Sequence, residues 1–158
     1  MSSLRWRSEP LAPGPVVVFD IDGVLSDAAG RQHYLTGGRK DWDGFFAASA
    51  DDPVIEETAR LLELLDDDLG VVLLTARPST VQHTTVDWLG RFGLRWDLLV
   101  MRPADDRRPS AVVKREALAE IRGLGLDVRL AFEDDLRNAE LFRSAGIPTV
   151  YIHSGYYG

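Results

Sequence analysis

Five short apolar runs alternate along the chain with segments whose apolar positions recur at helical spacing. The first run, Val16 to Phe19, is continuous and rich in β-branched residues, as in a strand buried on both faces of a parallel sheet. Gly70 to Leu74, Asp97 to Met101, Val128 to Phe132 and Ile147 to Ile152 repeat the pattern. Between them, Val54, Ile55, Thr58, Leu61, Leu62 and Leu65 form one helical stripe. Val81, Thr85, Trp88, Leu89 and Phe92 form a second, and Val113, Ala117, Leu118 and Ile121 a third. A last helix is predicted from about Leu136 to Ala145, stopping at Gly146. Asp52 is expected to cap the first of these helices with Pro53 at its first position, and Ser110 to cap the third. Strands that alternate with helices of this length imply right-handed βαβ units. The expected fold is α/β, a Rossmann-like, doubly wound parallel sheet.

Outside this alternation lie two segments. Met1 to Pro15, with Pro10, Pro13 and Pro15, reads as a flexible lead-in. Ser26 to Asp51 carries Gly30, Gly37, Gly38 and Gly44 and reads as a loop with one short helix near Trp42 to Ala50. The expected organisation is a single domain over residues 16–158 with a small insertion at about 26–51.

Composition narrows the class. A chain of 158 residues, 45% hydrophobic and 27% charged, is of ordinary globular make-up. No apolar run approaches the roughly 18 residues of a membrane span, and residues 1–15 lack the apolar core of a secretory signal, so a cytoplasmic home without membrane contact is expected. The absence of cysteine excludes disulfides, thiolate catalysis and cysteine-ligated zinc. A formal charge of −7 is unlike a protein that grips long nucleic acid through many phosphates. It leaves room for a local basic site. Only Lys40 and Lys114 of the 18 basic residues are lysines, so a lysine in a motif carries weight. Self-association is left open.

The chemistry sits where the runs end. Asp20 and Asp22 close the first strand, Thr75 the second and Asp134 the fourth, and Lys114 lies early in the helix before that fourth strand. In open α/β sheets ligands bind outside the carboxyl ends of the strands, so these groups are expected to converge. Two neighbouring carboxylates need a cation or a shared proton to offset their repulsion. Asp20 can act as a nucleophile on phosphorus, forming an aspartyl-phosphate. Asp20 and Asp134 offer the hard oxygens that suit Mg²⁺. Thr75 and Lys114 can hold phosphoryl oxygens, and Asp22 can move protons to the leaving oxygen and from water.

The residues Asp20-Ile-Asp22-Gly23-Val24-Leu25, Leu74-Thr75-Ala76-Arg77, Lys114 and Glu133-Asp134-Asp135-Leu136-Arg137-Asn138 resemble the four ordered motifs of the haloacid dehalogenase (HAD) superfamily. The resemblance covers Val16 to about Ile152. It implies a HAD-like fold, with Asp20 as nucleophile, Asp22 as acid/base, and Mg²⁺ held by Asp20, Asp134 and the main-chain carbonyl of Asp22. An Asp at position 22 points to a phosphatase over a dehalogenase or a transport ATPase. The insertion is too short for the cap domain that other members carry.

A closer resemblance is to the 3′-phosphatase domain of bacteriophage polynucleotide kinase. It rests on Gly30-Arg31, Arg77, Val112-Val113-Lys114-Arg115-Glu116, Asp127 to Ala131 and Ser154-Gly155. It implies that Arg31, Thr75, Ala76, Arg77 and Lys114 contact substrate, a nucleic-acid 3′ end or a nucleotide, and it implies a repair role. Glu133 departs from that pattern, which has Asp there. No Gly-x-x-x-x-Gly-Lys-Ser/Thr loop occurs, so 5′ phosphorylation by that route is excluded.

Trp42, Phe45 and Phe46 could stack on a base or pack the insertion onto the sheet. Arg102, Arg107 and Arg108 could meet a nucleic-acid backbone or form a solvated loop beside Asp105 and Asp106. Two alternatives remain at this stage: a phosphatase for a small phosphorylated metabolite, and a non-catalytic phosphoacceptor or binding module. A response-regulator receiver is disfavoured by motif order, because Asp134 comes after the Thr and the Lys.

Overall fold

A computed structural model describes residues 1–157. Its centre is a six-stranded sheet: β1 (Ser3–Trp6), β2 (Gly14–Phe19), β3 (Gly70–Pro78), β4 (Leu98–Arg102), β5 (Leu126–Glu133) and β6 (Thr149–Tyr151), in the order β1-β4-β3-β2-β5-β6. All neighbours run parallel except β1, which pairs antiparallel with β4 from Ser3↔Met101 to Trp6↔Leu98. The helices are α1 (Trp42–Ala47), α2 (Glu56–Leu64), α3 (Gln82–Arg91), α4 (Ser110–Gly123) and α5 (Leu136–Ser144).

Alternation along each strand splits the core into two layers. Val17, Phe19, Val71, Leu73, Leu99 and Met101 face Leu62, Trp88 and Leu89 of α2 and α3. Val16, Val18, Val72, Leu74, Leu98 and Val100 face Ala117, Leu118, Ile121 and Phe142 of α4 and α5. The sheet is doubly wound, and every residue of the first apolar run is buried on one face or the other. Topology therefore places the carboxyl ends of β2, β3 and β5 side by side, since β2 is central and flanked by the other two.

Several sequence expectations need correction. The segment 1–15, expected as a flexible lead-in, supplies an edge strand. Leu4 and Arg5 of β1 are exposed while Trp6 packs on the core, a mixed pattern with too few residues to show a period. Asp52 does not cap α2, which starts at Glu56 with Ile55 at its N-cap. The Asp52 carboxylate turns inward to Ser26 Oγ and Arg31 instead, because a buried guanidinium needs a carboxylate partner. Ser110 is the first residue of α4 rather than its cap; Pro109 stands at the N-cap, and Ser110 Oγ accepts from Asn138 Nδ2 at 3.1 Å. The insertion is more helical than expected, with 3-10 turns at Ala29–Leu35 and Ala48–Asp51 on either side of α1. No helix among the described residues is long and apolar enough to cross a membrane.

If β1 is an integral strand, deleting Met1 to Arg7 should lower Tm by about 3 °C or more, a loss of order 1 kcal/mol in a domain this size, with far-UV dichroism nearly unchanged. An unaltered Tm would show that β1 contributes nothing to stability.

Candidate active site

The Asp20 amide donates to Phe132 O at 3.0 Å, which prolongs the β2–β5 ladder to the last residue before the turn. That pairing sets Asp20 beside Glu133, and chain order puts Asp134 one residue further out. One carboxylate oxygen from each of Asp20, Glu133 and Asp134 lies within 4.8 Å of the others, all three residues being buried. Lys114, projecting from the second turn of α4, is the counter-charge. Its Nζ donates to Glu133 Oε2 at 2.7 Å and stands 3.3 Å from Asp20 Oδ1. Glu133 also accepts from the amides of Asp134 and Asp135 through Oε1, so both of its oxygens are engaged.

Three carboxylates against one ammonium leave an excess of two negative charges in a water-poor pocket. Burial and the neighbouring Glu133 push the Asp20 carboxyl well above its usual range, Lys114 pulling the other way. Burial likewise raises Asp134, to about 7. Lys114 is held above the usual range for a lysine by Asp20 and Glu133, which outweigh its own desolvation. Both Asp134 oxygens are buried with no hydrogen-bond partner. Such groups are rare unless something binds them. A divalent cation of the hard, oxygen-seeking kind would satisfy Asp134, balance the excess charge and return Asp20 to the ionised form. The donor set fits a metal centre.

Gly23 supports that centre from the turn after β2. Its φ is +82°, a region that favours glycine, and a Cβ there would overlap Asp134 Oδ2 and crowd Ser154. The Asp134 carboxylate therefore lies directly over a bare backbone. Thr75 ends the unbroken buried run of β3, with its Oγ1 accepting from the Arg77 amide at 3.1 Å. Asp135 caps α5, accepting from the Arg137 amide and pairing with its guanidinium, which separates its task from that of Asp134. Asn138 ties α5 to the start of α4 through Ser110 and leaves its own Oδ1 buried and unpartnered.

Asp22 faces a different set of groups. Arg31 Nη2 donates to Asp22 Oδ1 at 2.5 Å and Arg77 Nη2 to the same oxygen at 2.6 Å. Beneath them Asp52 accepts from Arg31 Nε and Nη2 and from Ser26 Oγ. Arg31 Nη1 reaches Phe45 O, and Arg77 Nη1 reaches Thr85 Oγ1. The two guanidiniums hold Asp22 down at about 2 against the desolvation that opposes them.

Arg31 and Arg77, expected as phosphate contacts, are thus buried and committed to carboxylates, the requirement of any guanidinium removed from water. The Asp22 side chain is not among the clustered carboxylates, so only its main-chain carbonyl is left for the metal role that the resemblance implies. Glu133 was left without a role by the sequence, yet its carboxylate fixes Lys114. The one signal for it is its place at the head of the acidic run closing the fourth apolar stretch.

A cleft of about 1160 Å³ opens beside Asp22, lined also by Ala76, Arg77, Asp135, Trp42, Phe46, Arg107 and Tyr157.

An aspartate pair ending the central strand of a doubly wound sheet, with a threonine, a lysine and a late aspartate on adjoining elements, defines the HAD-type phosphatase class. Within it, the chain belongs to the family described as the polynucleotide kinase PNKP phosphatase domain, whose profile matches residues 14–157. Solved structures carry the same fold. The Pnkp1/Rnl/Hen1 complex contains a chain 24% identical to this one, with a TM-score of 0.76 over 96% of this chain and 50% of that chain. A second structure, of the Pnkp1/Rnl/Hen1 RNA repair complex, gives 24% identity and a TM-score of 0.73 over 96% of this chain and 46% of that chain. The class C acid phosphatase from Bacillus anthracis with tungstate bound is 15% identical, with a TM-score of 0.69 over 94% of this chain and 70% of that one. This chain spans about half the length of the Pnkp1-complex chains it matches. No curated protein matches the sequence.

Gly23→Ala should displace Asp134 and strain the turn, destabilising the fold by about 1–3 kcal/mol in urea titrations, and should abolish any rise in Tm on adding Mg²⁺. Gly30→Ala, where the added methyl meets nothing within 4 Å, should do neither. Equal behaviour of the two variants would remove Gly23 from the account.

Proposed function

We propose that the chain is a Mg²⁺-dependent phosphomonoesterase that removes a 3′-phosphate from a nucleic-acid end or nucleotide through an aspartyl-phosphate on Asp20. The observation that carries this reading is the convergence of Asp20, Glu133, Asp134 and Lys114 at the end of the central strand. Family membership supports the reaction class, and the naming of a polynucleotide kinase in that family supports the nucleic-acid substrate. Residues 16–158 act as one phosphatase domain, with the insertion at about 26–51 forming a cleft wall in place of a cap.

Asp20, Asp134 and the Asp22 carbonyl would hold the Mg²⁺, which supplies positive charge where a phosphate dianion meets carboxylates. Ionised Asp20 attacks phosphorus with one oxygen, and the bond from phosphorus to the 3′ oxygen breaks. Asp22 delivers a proton to that departing oxygen. Its pairing with Arg31 and Arg77 disfavours the protonated form, which makes it a strong donor when it does carry a proton. Water then attacks the acyl phosphate and gives its proton back to Asp22, releasing inorganic phosphate and restoring Asp20. Lys114 and Thr75, with the Ala76 end of β3, hold the phosphoryl oxygens through both steps. Arg31 and Arg77 position Asp22. The net charge of −7 opposes long polyanions, so the grip extends over only the last one or two nucleotides.

The test is a phosphatase panel with Mg²⁺, comparing 3′-phosphorylated oligonucleotides, mononucleotides and sugar phosphates. Preferred hydrolysis of the 3′-phosphate is expected. Chelation should stop it, Asp20→Asn should abolish it, and Asp134→Ala should weaken the metal response far more than Asp135→Ala. Comparable rates on 3′-phosphates, 5′-phosphates and hexose phosphates would leave a general phosphatase and discard the nucleic-acid reading.

A further inference from the structure

The catalytic cleft does not end at the catalytic residues. It shares Lys40, Trp42, Asp43 and Arg107 with a second cavity of about 470 Å³, which Arg39 and Asp41 complete. Trp42 is the aromatic residue that lines both. Of the four tryptophans, Trp88 and Trp96 are buried and Trp6 is half-buried, whereas Trp42 is 45% exposed. Its indole is nonetheless held in place. It lies near-parallel to Phe46 at 5.9 Å and edge-on to Phe45 at 5.8 Å, and Phe45 lies 4.4 Å beneath the Arg31 guanidinium that grips Asp22. Of the aromatic cluster that the sequence left between packing and stacking, Phe45 packs inside, whereas Trp42 keeps part of its ring open to solvent.

Charge follows the same route. Six basic and four acidic residues line the main cleft, in a chain whose overall charge is −7. Most of these bases are engaged: Arg108 pairs with Asp106 and Glu116, Arg102 donates to three main-chain carbonyls, and Arg137 pairs with Asp135. Among the described residues, Lys40 and Arg107 form no ion pair. Lys40 Nζ instead hovers over the Trp42 ring at 5.7 Å. Of the two acids nearby, Asp41 is spent capping α1 through the Gly44 amide and Asp43 is exposed to water.

A flat π-face flanked by two unpaired cations, opening from a phosphate site, matches a ligand that alternates planar rings with anions. We propose that Trp42, edged by Phe46, is a stacking platform for a base within the last two nucleotides of the substrate strand, and that Lys40 and Arg107 take the phosphate joining those nucleotides. The proposal rests on the nucleic-acid reading above and adds the residues that recognise the strand. A base settling on the indole moves Lys40 to the rim, where its ammonium meets the phosphate. Stacking is sequence-tolerant because every base has a π-face, so the site reads a strand end without reading its sequence.

Binding to the Asp20→Asn protein with Mg²⁺ tests this without turnover. The probe is a 3′-phosphorylated tetranucleotide, alongside the same strand lacking its last two bases. The base-free strand should bind about tenfold or more weakly, and the intact strand should quench tryptophan emission. Adding Trp42→Ala should cost the intact strand a similar factor and the base-free strand nothing further, while Trp42→Phe should keep most of the affinity. Lys40→Ala and Arg107→Ala should each reduce the slope of log affinity against log salt by about one. Equal affinity for the two strands overturns the platform, and that comparison needs no variant that could misfold. So does a Trp42→Ala loss that is the same for both strands, or no binding of either. Turnover by the unmutated chain separates the two levels. Hydrolysis of the 3′-phosphate with indifference to the bases discards the platform alone. Stacking on Trp42 without hydrolysis of any 3′-phosphate discards the function and keeps the platform.

Discussion

Lys114 is the single positive charge buried among Asp20, Glu133 and Asp134, and the site depends on that imbalance. Isolated buried charges are expensive, and removing one partner of a buried pair commonly costs about 3–5 kcal/mol. The fold meets this constraint in stages. Glu133 takes two amides and the ammonium, Lys114 is thereby fixed against Asp20, and Asp134 is left with two unpartnered oxygens over Gly23. The arrangement is incomplete as an electrostatic unit, and what it lacks is positive charge bound by oxygen. The three clustered carboxylates could hold a metal ion that would fill that deficit.

A second buried cluster complements the first. Asp22 and Asp52 against Arg31 and Arg77 balance in charge, and their bonds are mutual. This cluster links three parts of the chain: the turn after β2, the insertion that carries Arg31, and the end of β3. The insertion is therefore anchored to Asp22 itself. Phe45 lies under Arg31, so the position of α1 and of the exposed Trp42 follows from the same ion pairs. The cleft wall and the Asp22 carboxylate are one mechanical unit.

Much of this was legible in the sequence. β2, β3 and β4 show as apolar runs because strands buried on both faces tolerate little else, and Asp20, Thr75 and Asp134 stand out because each lies at the end of such a run or of the β5 run. What was hidden depends on partners distant in sequence. Ser3–Trp6 is too short to show a period, and its strand character comes from the β4 edge it covers. Asp52-Pro53 carries the local signature of a helix start, but the buried Arg31 claims the carboxylate and α2 begins four residues later. Arg31 and Arg77 read as phosphate contacts by resemblance, whereas the structure pairs them with Asp22. Glu133 looked like one acid among three, and only the position of Lys114 gives it a task.

The central claim is that Asp20 takes the phosphoryl group from a 3′ end within a divalent metal site, and the covalent intermediate tests it most directly. The chain is mixed with Mg²⁺ and an oligonucleotide radiolabelled at its 3′-phosphate, quenched in acid within one turnover, and digested for peptide mapping. The account predicts label on the peptide containing Asp20, lost in Asp20→Asn and absent when Mg²⁺ is chelated. Hydrolysis of the 3′-phosphate with no label on that peptide, or with label on another residue, would contradict it.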